Sequence, residues 1–351
     1  MQNIKDLREK YNLTRKSLSI LTGIPVRTIQ SWELGDRVAP DYIYSLIENT
    51  LKQNIQALPE KTIIVPSNEY DTSILNSILK KDIYSLTKED ITSINAAYIA
   101  QMEIERKRKD RGGIYGYTQR TLAYNSSKIE GNQLTEEDTA NLFDTEQLPM
   151  GEFRRKDVEE MTGHFLMFNY ALVHIADPLS PELIKAYHRE LVSGVFEYRA
   201  NGYPVGEYKS RINTVSNITT SRPEDVANDI NNLLSSYNSK SDIDINMIAK
   251  LHADYERIHP FQDGNGRTGR MILFKECLSK GELPLIVDDK RKRTYYDGLK
   301  VYGDTLDITT LSDYLKSCQE QFYTKLQEYM YDHSITLNTP NDLQEERNEL
   351  S

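Results

Sequence analysis

Cysteine is nearly absent from this chain: Cys277 and Cys318 are the only two in 351 residues, far apart and in no C-x-x-C pair. A disulfide scaffold and a cysteine zinc site therefore have no basis, and a reducing compartment is expected. No apolar run approaches the ~20 residues that cross a bilayer. The opening MQNIKDLREKYNL is charged and amphipathic rather than a leader, so a soluble, cytoplasmic protein without a membrane partner is expected. Twelve prolines and seventeen glycines are too few and too scattered for a low-complexity tail, and no repeat occurs at solenoid spacing. No G-x-x-x-x-G-K-[ST] string is present, which removes the P-loop reading. Positive charge is also in deficit: 43 Lys and Arg against 53 Asp and Glu leave -10, the wrong sign for coating nucleic acid along the whole length.

The charge is uneven, however. Residues 1–52 hold eight basic and six acidic side chains, a net of +2 against -12 for the rest, which suggests two modules. Helical patterns run over Ile4–Tyr11, Thr14–Thr22 and Pro25–Leu34. Thr14 suits an N-cap, Gly23 a tight turn, and Pro25 a first helical turn, where its missing N–H is no loss. Two helices joined by a short Gly-containing turn form the arrangement that sends the second helix into the DNA major groove. LTRKSLSILTGIPVRTIQSWELGDRVAP, residues 13–40, resembles the Cro-like (XRE) helix-turn-helix family. That resemblance implies Ile24, Ile29 and Trp32 as core and Arg27, Thr28, Gln30 and Ser31 as residues facing DNA. It also implies a homo-oligomer, since so small a module binds well as a dimer. The competing reading is a fold of this type used for protein contact alone.

Beyond a connecting stretch over 53–86, with a short apolar helix near Ile74–Ile83, the chain reads as all-α. Thr87-x-x-Asp90 marks a capping box, and helical spacing follows until Gly112-Gly113. Further helices are expected over Tyr117–Ile129, Thr135–Phe143, Arg155–Ile175, Pro181–Leu191, Pro223–Tyr237, Ile245–Ile258, Arg267–Ser279 and Leu311–Tyr331. One stretch differs: EYKSRINTVSNITT, Glu207–Thr220, has the Val, Ile, Thr and Tyr content of a short β-hairpin.

The most informative string is HPFQDGNGRTGR, His259–Arg270. Pro260 ends the preceding helix and moves His259 out of the α region, presenting its imidazole as a candidate base. Phe261 offers an apolar anchor, and Asp263 a hard oxygen ligand of the kind that holds Mg²⁺ beside phosphates. Gly264-Asn265-Gly266 opens a helix with apolar face Met271, Phe274, Cys277 and Leu278, and loop amides at a helix N-terminus form an anion site. Arg267 and Arg270, at i and i+3, can grip further phosphate oxygens. Gly264-x-Gly266-x-x-Gly269 also matches a dinucleotide fingerprint, but it follows a helix and no βαβ unit surrounds it.

The string matches the Fic signature H-P-F-x-[D/E]-G-N-G-R-x-x-R at every defined position, a coincidence of below roughly 10⁻¹¹ per starting point. The resemblance extends over about residues 90–330, with Tyr187-His188-Arg189, the hairpin segment and Tyr295, Tyr296 and Leu299 in family order. It implies an all-α Fic-type domain with a β-hairpin flap that transfers AMP from ATP to a Tyr, Thr or Ser hydroxyl of a target protein, the protein itself included. His259 would be the base, Asp263 the Mg²⁺ ligand, and Gly264, Asn265 and Gly266 the α- and β-phosphate cradle. Arg267 and Arg270 would hold the β- and γ-phosphates, and Val215 and Ile218 would clamp the target.

Ser126-x-x-x-Glu130-Gly131 resembles the [S/T]-x-x-x-E-[G/N] inhibitory pattern of many Fic proteins. Glu130 would then hold the enzyme off by pairing with Arg270, steadied by Ser126. Two other functions stay open: removal of AMP by the same site, and a DNA-binding autoregulator whose Fic domain senses rather than transfers. The expected organisation is a helix-turn-helix domain over 1–52, a connection over 53–86, a Fic domain with its inhibitory helix over 87–333 and a tail over 334–351.

Overall fold

In the computed structural model the chain divides into two units, Met1–Thr62 and Ile63–Ser351. The structure describes residues 4–10, 15–22, 24–35 and scattered positions from 37 to 47 of the first, and 77–147, 152–215 and 218–332 of the second. Thr14, Gly23, the connecting stretch over 53–76 and the tail over 334–351 lie outside the described residues.

In the first unit α1 spans Ile4–Lys10, α2 Arg15–Thr22 and α3 Val26–Leu34. Pro25 precedes α3 at φ -55°, and its carbonyl accepts from Thr28 N (2.9 Å) and Ile29 N (3.1 Å). The ring that cannot donate thus starts a helix where no donor is missed. Gly35, at φ 82°, ends it. Ile29 is fully buried with Ile4, Leu7, Leu18 and Ile47, and Ile24 and Trp32 pack on that cluster half-buried. The covered Glu33 carboxylate accepts from Arg8 Nε and Arg15 Nε, both at 2.7 Å, tying α1 and α2 to α3.

The long helices of the second unit begin at the Thr87 capping box. Thr87 Oγ1 accepts from Asp90 N (3.1 Å) and Asp90 Oδ2 from Thr87 N (2.9 Å), a cap worth about 1 kcal/mol. It starts α4, Lys88–Arg108. Then follow α5 Ile114–Ile129, α6 Glu136–Thr145, α7 Arg155–Val173, α8 Pro181–Val192 and α9 Phe196–Ala200. α10 spans Val226–Asn238, α11 Ile245–Ile258, α12 Asn265–Lys280, α13 Lys292–Thr305 and α14 Thr309–Asp332. No helix among the described residues is long and apolar enough to cross a membrane. Both cysteines are free and buried.

α7 and α8 lie close because residue 163 is glycine: a Cβ there would stand 1.9 Å from the Leu191 carbonyl oxygen. α12 passes through the middle of the unit, against α5, α7, α8 and α11. The periodicity marks one apolar face on it, whereas the structure buries every residue from Arg267 to Leu278. Its charged residues are therefore paired internally, as with Lys275 Nζ and Glu276 Oε1 at 2.7 Å, because an unpaired buried charge is costly.

The hairpin ladder is shorter than the composition suggests. Among the described residues only β1, Thr214–Val215, and β2, Ile218–Thr219, pair, antiparallel, with Thr214 opposite Thr219 and Val215 opposite Ile218. From Glu207 to Asn213 the chain forms no ladder, and its side chains and amides are spent on the loop after α11 instead.

Candidate active site

His259 caps α11 with φ 53° and ψ 62°, a left-handed conformation that non-glycine residues seldom adopt. Its N–H donates to Tyr255 O (2.9 Å), and Pro260 then prevents the helix from continuing. Nδ1 is buried, 4.0 Å from Glu256 Oε2, leaving Nε2 as the accessible nitrogen. Burial, followed by the nearby Lys209 ammonium, lowers the His259 pKa to about 4. The ring is thus neutral at pH 7, the form a base requires.

The loop after His259 is held from several directions. Phe261 is fully buried and stacks on His188 at 3.8 Å and 2° between planes. Phe261 N donates to Asn265 Oδ1 (2.7 Å) and Asn265 Nδ2 to Phe261 O (2.8 Å). The Asn265 side chain is therefore spent on closing the turn, which leaves its backbone N–H as the group it could offer a ligand. Gly206 N donates to His188 Nδ1 (3.1 Å), so the ring proton is on Nε2, which faces Tyr198 Oη (2.9 Å) and Asp263 O (3.1 Å). Burial keeps His188 neutral, its pKa lowered to about 3. Tyr198 Oη donates to Asp263 O (3.2 Å) and accepts from Asp263 N (3.3 Å).

Gly264, at φ 81°, starts α12. The amides of Asn265, Gly266 and Arg267 follow with no intrahelical acceptor and carry the positive end of the helix dipole. Asp263 Oδ1 accepts from Gly264 N (2.6 Å) and Arg267 Nη2 (3.2 Å); no hydrogen bond reaches Oδ2. Burial pushes the Asp263 carboxyl up, but Arg267, Lys156 and the Gly264 amide outweigh it and hold the pKa below the ordinary value.

The two arginines, expected to act side by side, take different partners. Arg267 Nη1 lies 2.8 Å from Glu160 Oε2, while Nη2 turns to Asp263. Arg270 donates from Nε to Ser126 Oγ (3.0 Å) and from Nη2 to Ser126 O (2.7 Å) and Glu130 Oε1 (2.8 Å). Glu130 is the residue at which α5 ends. Burial pushes its carboxyl up, and Arg270 and then Arg267 pull it back below the usual carboxylate value. Its side chain stays one-third exposed, so it remains within reach of water.

A buried lysine laces the hairpin to this loop. Lys209 Nζ donates to Asn213 Oδ1 (2.7 Å), Thr220 Oγ1 (2.8 Å) and Ile258 O (3.3 Å). Lys209 N donates to Pro260 O (2.8 Å), and Asn213 Nδ2 to Phe261 O (2.9 Å). Burial lowers the Lys209 pKa to about 8. The backbones of Val215 and Ile218 pair just beyond, while their side chains lie outside the described residues.

Thus His259, Asp263, Gly264, Asn265, Gly266, Arg267, Arg270, Ser126 and Glu130 converge. In the first unit Arg27 and Gln30 are exposed on α3, with Thr28 and Ser31 half-buried. Sequence spacing missed Glu160, Tyr198 and Lys209, which are 99, 61 and 50 positions from His259 and belong to no local pattern. Among the described residues no group of three or more His, Cys, Asp or Glu could hold a metal ion. The free Oδ2 of Asp263 fits a Mg²⁺ ion that takes its other ligands from substrate phosphates and water.

Residues 178–276 match the Fic/DOC family. A protein adenylyltransferase Fic from Aedes aegypti is 26% identical over 203 residues, covering 56% of this chain and 40% of that protein. Another from Drosophila virilis is 24% identical over 268 residues, covering 75% of this chain and 52% of that protein. The chain thus spans about half the length of these relatives, or less. The crystal structure of a Fic domain containing signaling protein from Bacteroides thetaiotaomicron aligns with a TM-score of 0.57 at 24% identity, over 69% of this chain and 98% of that one. Fic-1 from C. elegans aligns with a TM-score of 0.54 at 19% identity, over 93% and 85%. Both share the fold of this chain over those stretches.

Proposed function

We propose that this protein is an adenylyltransferase that moves AMP from ATP to a hydroxyl of a target protein and is held off by its own Glu130. The observation that carries the reading is the position of the Glu130 carboxylate: an anion on Arg270, over the start of α12, in a cleft that also holds a neutral imidazole. A carboxylate resting there stands in for a phosphate.

In the transfer, His259 Nε2 takes the proton of the target hydroxyl as its oxygen bonds to the α-phosphorus. The bond from that phosphorus to the bridging oxygen breaks, and pyrophosphate leaves with the electron pair. Amides of Asn265 and Gly266 and the Arg270 guanidinium would neutralise the phosphate charge that develops, the principal need in such reactions. Asp263 Oδ2 would hold Mg²⁺, which when bound supplies further charge neutralisation on the phosphates. Val215 and Ile218 would receive an extended target segment along the hairpin edge. Residues 1–52 would act as a helix-turn-helix module, reading DNA through Arg27, Thr28, Gln30 and Ser31.

Removal of AMP is the second reading, favoured by the exposed part of the Glu130 carboxylate, which can orient water beside the same cradle. Incubation with ATP labelled at the α-phosphate separates the two. Covalent label on protein supports transfer; release of AMP from a labelled target supports removal; the absence of both supports a sensory domain.

A further inference from the structure

Lys156, in the first turn of α7, belongs to no motif, yet its ammonium stands among three carboxylates at the edge of the site. Nζ lies 3.6 Å from Asp263 Oδ2, 3.8 Å from Glu160 Oε1 and 3.8 Å from Glu197 Oε2. Each separation exceeds a hydrogen bond, so charge rather than directed bonding holds the ammonium there. The start of α7 is itself fixed. Phe196 N donates to Glu159 Oε2 (2.8 Å), and the Arg155 guanidinium covers the Phe196 ring at 4.7 Å. A cavity of about 180 Å³ opens on this side, lined by Lys156, Glu197, Tyr198, Gln262 and Asp263 among others.

The oxygen that Lys156 faces is the one Asp263 leaves without a hydrogen bond, since Oδ1 is taken by Gly264 N and Arg267. It is also the oxygen that suits a divalent ion. Asp263, Glu160 and Glu197 bring three carboxylates together, and among the described residues the ion pairs they form within 4 Å are with Lys156 and Arg267. A lysine on its four-carbon stem can swing aside, as a guanidinium locked into a bidentate pair cannot.

We infer that Lys156 is a tethered counter-cation: it neutralises Asp263 until nucleotide and divalent ion arrive, yields Oδ2 to the ion, and serves the nucleotide phosphates when the ion is absent. This rests on the nucleotide-site reading above. Lys156 and the divalent ion then compete for a single oxygen, and the lysine gives the site a measurable nucleotide affinity without metal.

The test measures binding of an α,β-methylene analogue of ATP to the full chain by calorimetry, in EDTA and across a Mn²⁺ titration, with bound Mn²⁺ followed by electron paramagnetic resonance. In Lys156→Met, the affinity in EDTA should fall about tenfold and the half-saturating Mn²⁺ concentration should fall by a similar factor. Affinity at saturating Mn²⁺ should stay within about a factor of two. Lys156→Arg should restore most of the affinity in EDTA. Identical Mn²⁺ curves and EDTA affinities in wild type and Lys156→Met would overturn the inference while leaving the nucleotide site intact. An equal loss at every Mn²⁺ level would also overturn it, by making Lys156 a permanent phosphate ligand. If wild type binds no analogue under any condition, the nucleotide reading falls and this inference with it.

Discussion

The carboxylate of Glu130 rests on Gly266: a Cβ added at residue 266 would stand 2.2 Å from Glu130 Oε1 and 2.9 Å from Arg270 Nη1. The Glu130 carboxylate therefore occupies the space that a side chain at residue 266 would fill. On the proposed reading the same absence would let a phosphate approach the backbone amides, so that inhibitor and substrate would call for the same glycine.

Glu130→Gly should free Arg270 and raise AMP transfer at least about tenfold, given that an arginine on the transferring phosphates contributes about 10³- to 10⁵-fold in related reactions. Label from α-labelled ATP should appear first on the protein's own tyrosines. Adding Arg270→Ala should abolish the gain. Equal labelling by wild type and Glu130→Gly, with Mg²⁺ and ATP in excess, would reduce Glu130 to a helix-end residue.

Gly266→Ala should destabilise the wild-type protein through contact with the Glu130 carboxylate, and do so less in a Glu130→Gly background. The coupling expected in the double-mutant cycle is about 1 kcal/mol or more, roughly 2–4 °C in melting temperature for a unit of this size. Equal losses in both backgrounds would show that Glu130 moves aside freely.

His259→Ala should lower transfer by about 10²- to 10⁴-fold with an unchanged circular dichroism spectrum and retained nucleotide binding. The pH profile carries the sign. A histidine whose pKa is lowered to about 4 stays unprotonated, and competent as a base, until pH falls toward that value. kcat/KM of the Glu130→Gly enzyme, which reports the free enzyme, should therefore show no fall near pH 6.5 and should decline only as pH approaches about 4. A midpoint near 6.5 would place His259 in a more solvated setting than this one.

The hairpin should govern the target rather than the nucleotide. Val215→Asp combined with Ile218→Asp should leave ATP binding unchanged and remove target labelling. Retained labelling would move recognition elsewhere.

For the first unit, Arg27→Ala and Gln30→Ala should each relax base preference, at about 1–3 kcal/mol per lost bidentate contact. Footprinting upstream of the protein's own gene reads this directly, and no protection at low salt would favour a protein-contact role for residues 1–52.

Much of this molecule is determined locally and could be read from sequence. Pro260 ends α11 because it lacks a donor, Thr87 and Asp90 close a capping box by their spacing alone, and Gly264 permits the left-handed turn into α12. His259, Asp263, the glycines and Arg270 fall within twelve residues, so one string brings them together. The helix α13 was illegible because its buried stripe is Tyr295, Gly298 and Tyr302, two amphipathic rings and a glycine rather than an aliphatic face. The five residues of α9 were too few to show a period. Tertiary packing alone decided the rest. Glu130 meets Arg270 across 140 positions, and Glu160 takes Arg267 away from the face it shares with Arg270 in the sequence. The neutrality of His259 and His188, and the lysines at positions 156 and 209, depend on which helices bury or surround them. Spacing fixes what one helix presents, whereas desolvation and charge pairing depend on what the other helices bring against it.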